Sequence, residues 1–160
     1  NTIFKIVNLN NDNKIIILQH HPQIHDFNEY MNYYNNVIKQ YEDKIIIICS
    51  GHSHTQGIRV FNNKILQINF GSVTSYTETL PSISIITLNK TNLKEINSYW
   101  DNNITNLTKN KKINWKKYSY TDLFNMNNLS ITEFNKFIKN KENNKTLSNI
   151  YNNWVTQGYK

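Results

Sequence analysis

The first part of the chain carries two continuous apolar runs with one amphipathic segment between them. The runs are residues 14–19 and 44–49, and their composition is typical of strands buried on both faces. Between them, apolar and aromatic residues recur every three or four positions, which predicts a helix that begins at the N-cap Asp26 and continues to Tyr41. A strand, a helix and a second buried strand form a right-handed crossover unit, so the two strands are predicted to be parallel.

After this unit the strands follow one another without helices between them. Residues 58–61 and 64–70 are predicted to form a hairpin around Asn62-Asn63, because Asn tolerates positive φ. Residues 83–88 predict another strand, so the sheet becomes mixed or antiparallel. Residues 93–107 predict one long or two short strands.

Helical patterns return near the C-terminus. The aromatic segment 115–124 is predicted to be helical, and the capping-box spacing of Ser130 and Glu133 predicts the start of a helix. A last helix is marked by apolar residues at positions 147, 150, 151 and 154, and residues 140–145 are predicted to be the loop before it.

All five histidines precede residue 55, and they follow the two predicted parallel strands. His20-His21-Pro22 ends the first strand and Gly51-His52-Ser53-His54 ends the second. Parallel strands present their carboxyl ends at one edge of the sheet, where α/β proteins bind ligands, and imidazole is a common metal ligand. We therefore predict that His20, His52 and His54 bind a divalent metal such as Zn²⁺, Mn²⁺ or Fe.

Three further residues accompany the predicted ligands. His21 and His25 are assigned supporting or structural roles, and Gly51 is expected to clear space for a close backbone approach. A histidine at a strand end is more often structural than a ligand. The pair at positions 52 and 54, together with a histidine on the neighbouring strand, is what makes the prediction specific.

Composition narrows the class of protein but not its activity. The 160 residues are 38% hydrophobic and 18% charged, which fits a folded domain. The net charge of +7 reflects a Lys-rich background or attraction to anionic partners, and no nucleic-acid-binding module is recognisable. Cys49 is the one cysteine, so no intrachain disulfide forms, and no apolar run is long enough to span a membrane. The chain begins without Met or a signal peptide, so we expect a processed product or a piece of a longer protein.

The two histidine blocks resemble the last two sequence blocks of the calcineurin-like metallophosphoesterases. In that family, a strand ending in His before a small residue and Pro is followed by Gly-His-x-His. The resemblance implies that His20, His52 and His54 are divided between two metal ions, with Zn²⁺ preferred and Mn²⁺ or Fe as alternatives. It also implies that two metals activate a hydroxide that attacks the phosphorus of a phosphodiester.

The downstream sequence resembles the acid sphingomyelinase-like branch of this family. The matching segments are residues 71–76, 80–82, 106–108, 115–118 and 128–130, followed by a Tyr-rich last helix. Two features depart from that branch: residues 79–82 lack its usual Asn before Pro, and its C-terminal disulfide cysteines are absent. The expected fold is α/β (α+β), the C-terminal half of a metallophosphoesterase β-sandwich flanked by helices in residues 1–90, then a small, mainly helical extension in residues 91–160.

The resemblance covers only part of the family's catalytic site. Its Asp-x-His, Gly-Asp and Gly-Asn-His-Asp/Glu blocks are absent, and the five aspartates occur in none of these contexts. We therefore expect a fragment of a sphingomyelin phosphodiesterase-like hydrolase that is inactive alone, because the bridging carboxylate and the general acid are missing. Its substrate would be a lipid headgroup or a nucleotide diester, with possible contact to an anionic membrane surface.

The resemblance also implies a secreted or lysosomal/endosomal glycoprotein. Five N-x-S/T sequons, at Asn89, Asn103, Asn106, Asn128 and Asn144, permit this but are partly expected by chance in so Asn-rich a chain. Three alternatives stay open: another metallophosphoesterase acting on nucleotides or phosphomonoesters, a non-catalytic binding module of the same fold, and a basic nucleic-acid-binding domain. The helical tail would distinguish the sphingomyelinase-like branch from the other phosphoesterases.

Overall fold

The computed structural model describes residues 13–22, 28–73, 79–101 and 113–156. These residues form seven strands and four helices in two sheets, so the predicted mixed α/β class is confirmed. No helix among them is long and apolar enough to cross a membrane. In chain order the elements are β1 Ile15–Leu18, α1 Asn28–Gln40, β2 Ile45–Ser50, β3 Gly57–Phe61, β4 Ile65–Asn69, β5 Ile83–Asn89, β6 Asn92–Trp100, β7 Lys116–Ser119, α2 Tyr120–Phe124, α3 Ile131–Asn143 and α4 Lys145–Val155.

The first sheet has the order β1-β2-β4-β3 and is mixed. β1 is parallel to β2 and β2 is parallel to β4, which confirms the predicted crossover unit. β3 and β4 form the predicted antiparallel hairpin, and Asn62 and Asn63 make its turn with φ of 48° and 57°. Three parallel strands, β1, β2 and β4, therefore end at the same edge of this sheet.

Burial differs between the two strands that were both predicted to be covered on both faces. β2 is buried almost throughout, as expected. In β1, Ile15 and Ile17 pack towards α1, whereas Ile16 and Leu18 are 44% and 78% exposed. β1 is an edge strand of the sheet, and within the described residues only one of its faces is covered.

The second sheet is antiparallel, with the order β5-β6-β7. It contains the part of segment 93–107 that the structure describes, as a single strand that ends at Trp100. The helix predicted over residues 115–124 is half wrong: residues 116–119 pair with β6, and only the last five residues are helical. Ladder hydrogen bonds to β6 outweigh the local aromatic spacing, and Ser119 then caps α2 by accepting from Asp122 N.

The C-terminal helices follow the sequence signals with two differences. Ser130 caps α3 by accepting from Glu133 N, as predicted, but the Glu133 carboxylate accepts from Asn127 N, so the reciprocal bond of a capping box is absent. The loop predicted at residues 140–145 is wrong, because α3 continues to Asn143. Asn144 alone separates the helices and also caps α4 by accepting from Leu147 N.

One hydrophobic core joins both sheets to the last three helices. Trp100 and Trp154 are its largest side chains, and with Phe134 they are almost fully buried. A smaller cluster lies between α1 and the other face of the first sheet. The boundary predicted between residues 90 and 91 falls in the β5–β6 turn, and the division into two regions stays a prediction.

Candidate metal centre

The candidate site lies where β1 and β2 end side by side. His20 and His52 each follow the last residue of their strand by two positions. The loops are joined by their backbones: Gln19 N donates to Cys49 O at 2.9 Å and Gly51 N donates to His20 O at 2.9 Å. The parallel pairing therefore continues past the strands and carries the histidines to one place.

Three histidine rings form a cluster at this edge. His52 Nδ1 lies 3.1 Å from His20 Nε2, and one ligand nitrogen from each of His20, His21 and His52 lies within 4.8 Å of the other two. The His21 and His52 ring centroids are 3.9 Å apart. All three side chains are exposed.

The donor set fits a divalent metal ion. Two nitrogens bound to one tetrahedral Zn²⁺ at about 2.1 Å each lie about 3.4 Å apart, close to the separation of His20 and His52. Imidazole nitrogen suits Zn²⁺ and its borderline neighbours. No carboxylate belongs to the cluster among the residues that the structure describes.

The electrostatics at His52 favour its neutral imidazole, which is the form that binds metal. Desolvation lowers the pKa of His52 from its ordinary value of 6.5, and the neighbouring rings of His21, His20 and His54 lower it further. A positive charge on His52 is therefore disfavoured by the titratable rings around it. Because protons and metal compete for the same nitrogen, this lowered pKa reduces the competition.

The histidine turn, defined as residues 51–55, has an unusual backbone. His52 and His54 have φ of 70° and 60°, in the left-handed region. Each such residue costs on the order of 1–3 kcal/mol and persists only where surrounding contacts hold it. Among these contacts, Ser53 N donates to Gly51 O, and the Asn69 side chain donates to Ser53 Oγ and Thr55 O.

The structure places some, but not all, of the predicted ligands in the histidine cluster. It brings His20 and His52 together and adds His21, which the sequence had assigned a supporting role. His54 is half-buried and is not a member of the three-histidine group, although it influences the pKa of His52. Its role as a ligand stays a prediction. His25 lies outside the described residues.

The expected role of Gly51 in clearing space stays a prediction. A Cβ added to Gly51 would lie 3.8 Å from His20 O, an ordinary van der Waals contact. Its backbone N–H donates to His20 O, a contact that any residue except proline can make. Sequence reasoning also missed Asn69, which contacts the turn from the end of the third parallel strand. Its position as the last residue of β4 was the available signal.

A search against protein-family models found no match. The chain is 27% identical over 153 residues to Sphingomyelin phosphodiesterase A of Dictyostelium discoideum, and the match covers 88% of this chain and 26% of that protein. The chain thus spans about a quarter of the length of this curated relative. The match supports a distant relation to a phosphodiesterase, in agreement with the resemblance of the histidine blocks.

Solved structures of Vps29 align with part of the chain. Vps29 from Chaetomium thermophilum aligns with a TM-score of 0.42 and 16% identity, over 65% of this chain and 51% of that one. Wild-type Vps29 complexed with zinc, from Entamoeba histolytica, aligns with a TM-score of 0.35 and 15% identity, over 66% of this chain and 57% of that one. At these TM-scores neither alignment establishes a shared fold.

Proposed function

We propose that this chain is the C-terminal part of a metal-dependent phosphodiesterase of the calcineurin-like superfamily, related to the acid sphingomyelinases. The observation that carries the proposal is the pairing of His20 and His52 at the ends of two parallel strands, with His21 beside them. The match to a sphingomyelin phosphodiesterase supports it. The substrate is a phosphodiester, with a sphingolipid headgroup favoured by that relative.

The chain's own part in the reaction is to hold metal ligands in a fixed arrangement. His20 Nε2 and His52 Nδ1 lie 3.1 Å apart, the His21 ring packs against the His52 ring, and His54 follows on the same turn. A bound divalent ion supplies Lewis acidity and lowers the pKa of water near phosphorus. A bridging carboxylate and a general acid come from outside this chain in the complete protein, so the chain alone does not turn over substrate.

Zinc binding tests the site. Isothermal titration of the chain with ZnCl₂ should show binding that His20→Ala and His52→Ala each abolish, whereas Gln40→Ala, on the exposed face of α1, leaves it unchanged. Comparing His21→Ala with His54→Ala decides which of them is a ligand. Binding that survives both His20→Ala and His52→Ala would refute the assignment.

Hydrolysis tests the reaction. The chain with Zn²⁺ or Mn²⁺ should hydrolyse bis(p-nitrophenyl) phosphate at no more than the background rate. A longer protein that includes the Asp-x-His and Gly-Asn-His-Asp/Glu blocks should hydrolyse this substrate, and His52→Ala should remove that activity. Rapid turnover by the short chain would show that it is not an incomplete site.

A second candidate is a non-catalytic binding module of the same fold. The lack of any carboxylate in the histidine cluster, among the described residues, favours it. It predicts that the longer protein binds zinc at these histidines and remains inactive towards phosphodiesters.

Localisation is also part of the proposal. Secretion or delivery to a lysosome is consistent with sequons at Asn128 and Asn144, which are exposed. Each uses its side-chain oxygen to accept a backbone N–H, from Ser130 and Leu147 respectively. Glycosylation occurs on the side-chain nitrogen, so both hydrogen bonds can persist in a glycoprotein.

A further inference from the structure

The amide of Asn69 joins the end of β4 to the histidine turn. Asn69 is 8% exposed, and its Nδ2 donates to Ser53 Oγ at 2.6 Å and to Thr55 O at 2.5 Å. These two partners flank His54 and follow His52. A single buried side chain thus contacts the residue on each side of the left-handed His54, through the Ser53 side chain and the Thr55 backbone carbonyl.

The orientation of this amide is set from the sheet below it. Gln67 Nε2 donates to Ser50 Oγ at 3.0 Å, and Ser50 Oγ donates to Asn69 Oδ1 at 3.2 Å. A carbonyl oxygen can only accept, so the contact with Thr55 O requires Nδ2 on that side and Oδ1 towards Ser50. The hydrogen bonds therefore run in one direction, from the core of the sheet to the turn.

We propose that Asn69 is a positioning residue for the metal site: it keeps His52 and His54 in their left-handed conformation, and so directs the His52 ring towards His20. Three arguments support this. The turn is strained, so it needs an external restraint. Asn69 supplies two donors to that turn and is buried, so water does not replace it readily. Its neighbours Ser50 and Gln67 are buried as well, which makes the restraint rigid.

The inference rests on the proposed metal site for its functional meaning, but the restraint on the turn can be measured without metal. Asn69→Asp keeps the shape of the side chain and removes both donors, and a carboxylate repels the Thr55 carbonyl. Asn97→Ala is the matched control: Asn97 is 4% exposed and hydrogen-bonded, but it lies in the second sheet, paired with Ile85 and Ser119.

Two readouts are taken on each chain. In the metal-free protein, the Cα and Cβ chemical shifts of His52 and His54 report φ, and Asn69→Asp should move them away from left-handed values while Asn97→Ala leaves them in place. In the zinc titration, Asn69→Asp should raise the Kd for zinc about 10- to 100-fold, the range found for residues that support metal ligands. Ser53→Ala, an exposed change that removes one of the two acceptors, should act in the same direction if Asn69→Asp does not fold.

Each outcome is decisive. Unchanged histidine shifts in Asn69→Asp would overturn the inference, as would equal losses of zinc affinity in Asn69→Asp and Asn97→Ala. Shifts that move while zinc affinity stays at the wild-type value would overturn the link to the metal site. If the wild-type chain binds no zinc, the proposed function fails, and the metal-free shifts still decide whether Asn69 holds the turn.

Discussion

Gln56 offers a direct test of how the C-terminal helix supports the histidine turn. Gln56 follows the turn by one residue and is 2% exposed. Its backbone N donates to Val155 O at 3.0 Å, its Nε2 donates to Trp154 O at 3.2 Å, and its Oε1 accepts from Ser98 Oγ at 2.9 Å. One side chain therefore links the turn to α4 and to β6.

The cost of replacing this side chain follows from those contacts. Gln56→Leu keeps a similar volume and removes two buried hydrogen bonds, each worth about 1 kcal/mol net. Trp154 O then loses the Gln56 side chain as a donor. Ser98 Oγ retains its contact with Ser84 Oγ at 3.1 Å. We expect a loss of about 2–3 kcal/mol in the free energy of unfolding.

Urea denaturation measures this loss. With an m-value of about 2 kcal/mol per molar, the midpoint should fall by about 1–1.5 M. Gln40→Leu is the matched control, since Gln40 is exposed at the end of α1 and its replacement should change stability by no more than about 0.5 kcal/mol. Equal midpoints for the two variants would show that the buried network does not stabilise the fold.

Three further changes have defined outcomes. Gly51→Ala should leave zinc affinity and the unfolding midpoint unchanged, because its Cβ would meet His20 O at an ordinary 3.8 Å; a loss of more than about 1 kcal/mol would contradict this. Burial raises the pKa of the Cys49 thiol from its ordinary value of 9.0 to about 11, so reaction with a thiol-specific disulfide reagent at pH 8 should be slow in the folded chain and fast in urea. Because the unfolded thiol ionises first, stability should fall as pH rises from 9 through 11, and a Cys49→Ser variant should lose that part of the pH dependence. Asn144→Ala should destabilise the chain by about 1 kcal/mol through loss of the α4 N-cap, whereas Asn149→Ala, on the exposed face of the same helix, should not; equal urea midpoints would exclude a capping role.

The sequence by itself determined the local elements and the place of the histidines. The apolar runs located β1 and β2, and the spacing between them located α1 and hence the parallel pairing. Because parallel strands end at one edge, His20 and His52 were expected at the same edge of the sheet. The Asn62-Asn63 turn and the Ser130 cap were predictable for a similar reason, since each depends on the dihedral preference or hydrogen-bonding capacity of a few adjacent residues.

Only the tertiary structure decided which side chains lie together at the strand ends. Whether His21 or His54 joins His20 and His52 depends on the backbone angles beyond the strand ends, and these are held by contacts distant in sequence. Asn69 reaches the turn from 16 residues away, and Gln56 is held by Trp154 from 98 residues away. Residues 116–119 became a strand for the same physical reason, because hydrogen bonds to β6 outweighed local spacing. A periodic pattern specifies which face of an element is apolar. It does not specify which distant residues that face, or the loop after the element, will contact.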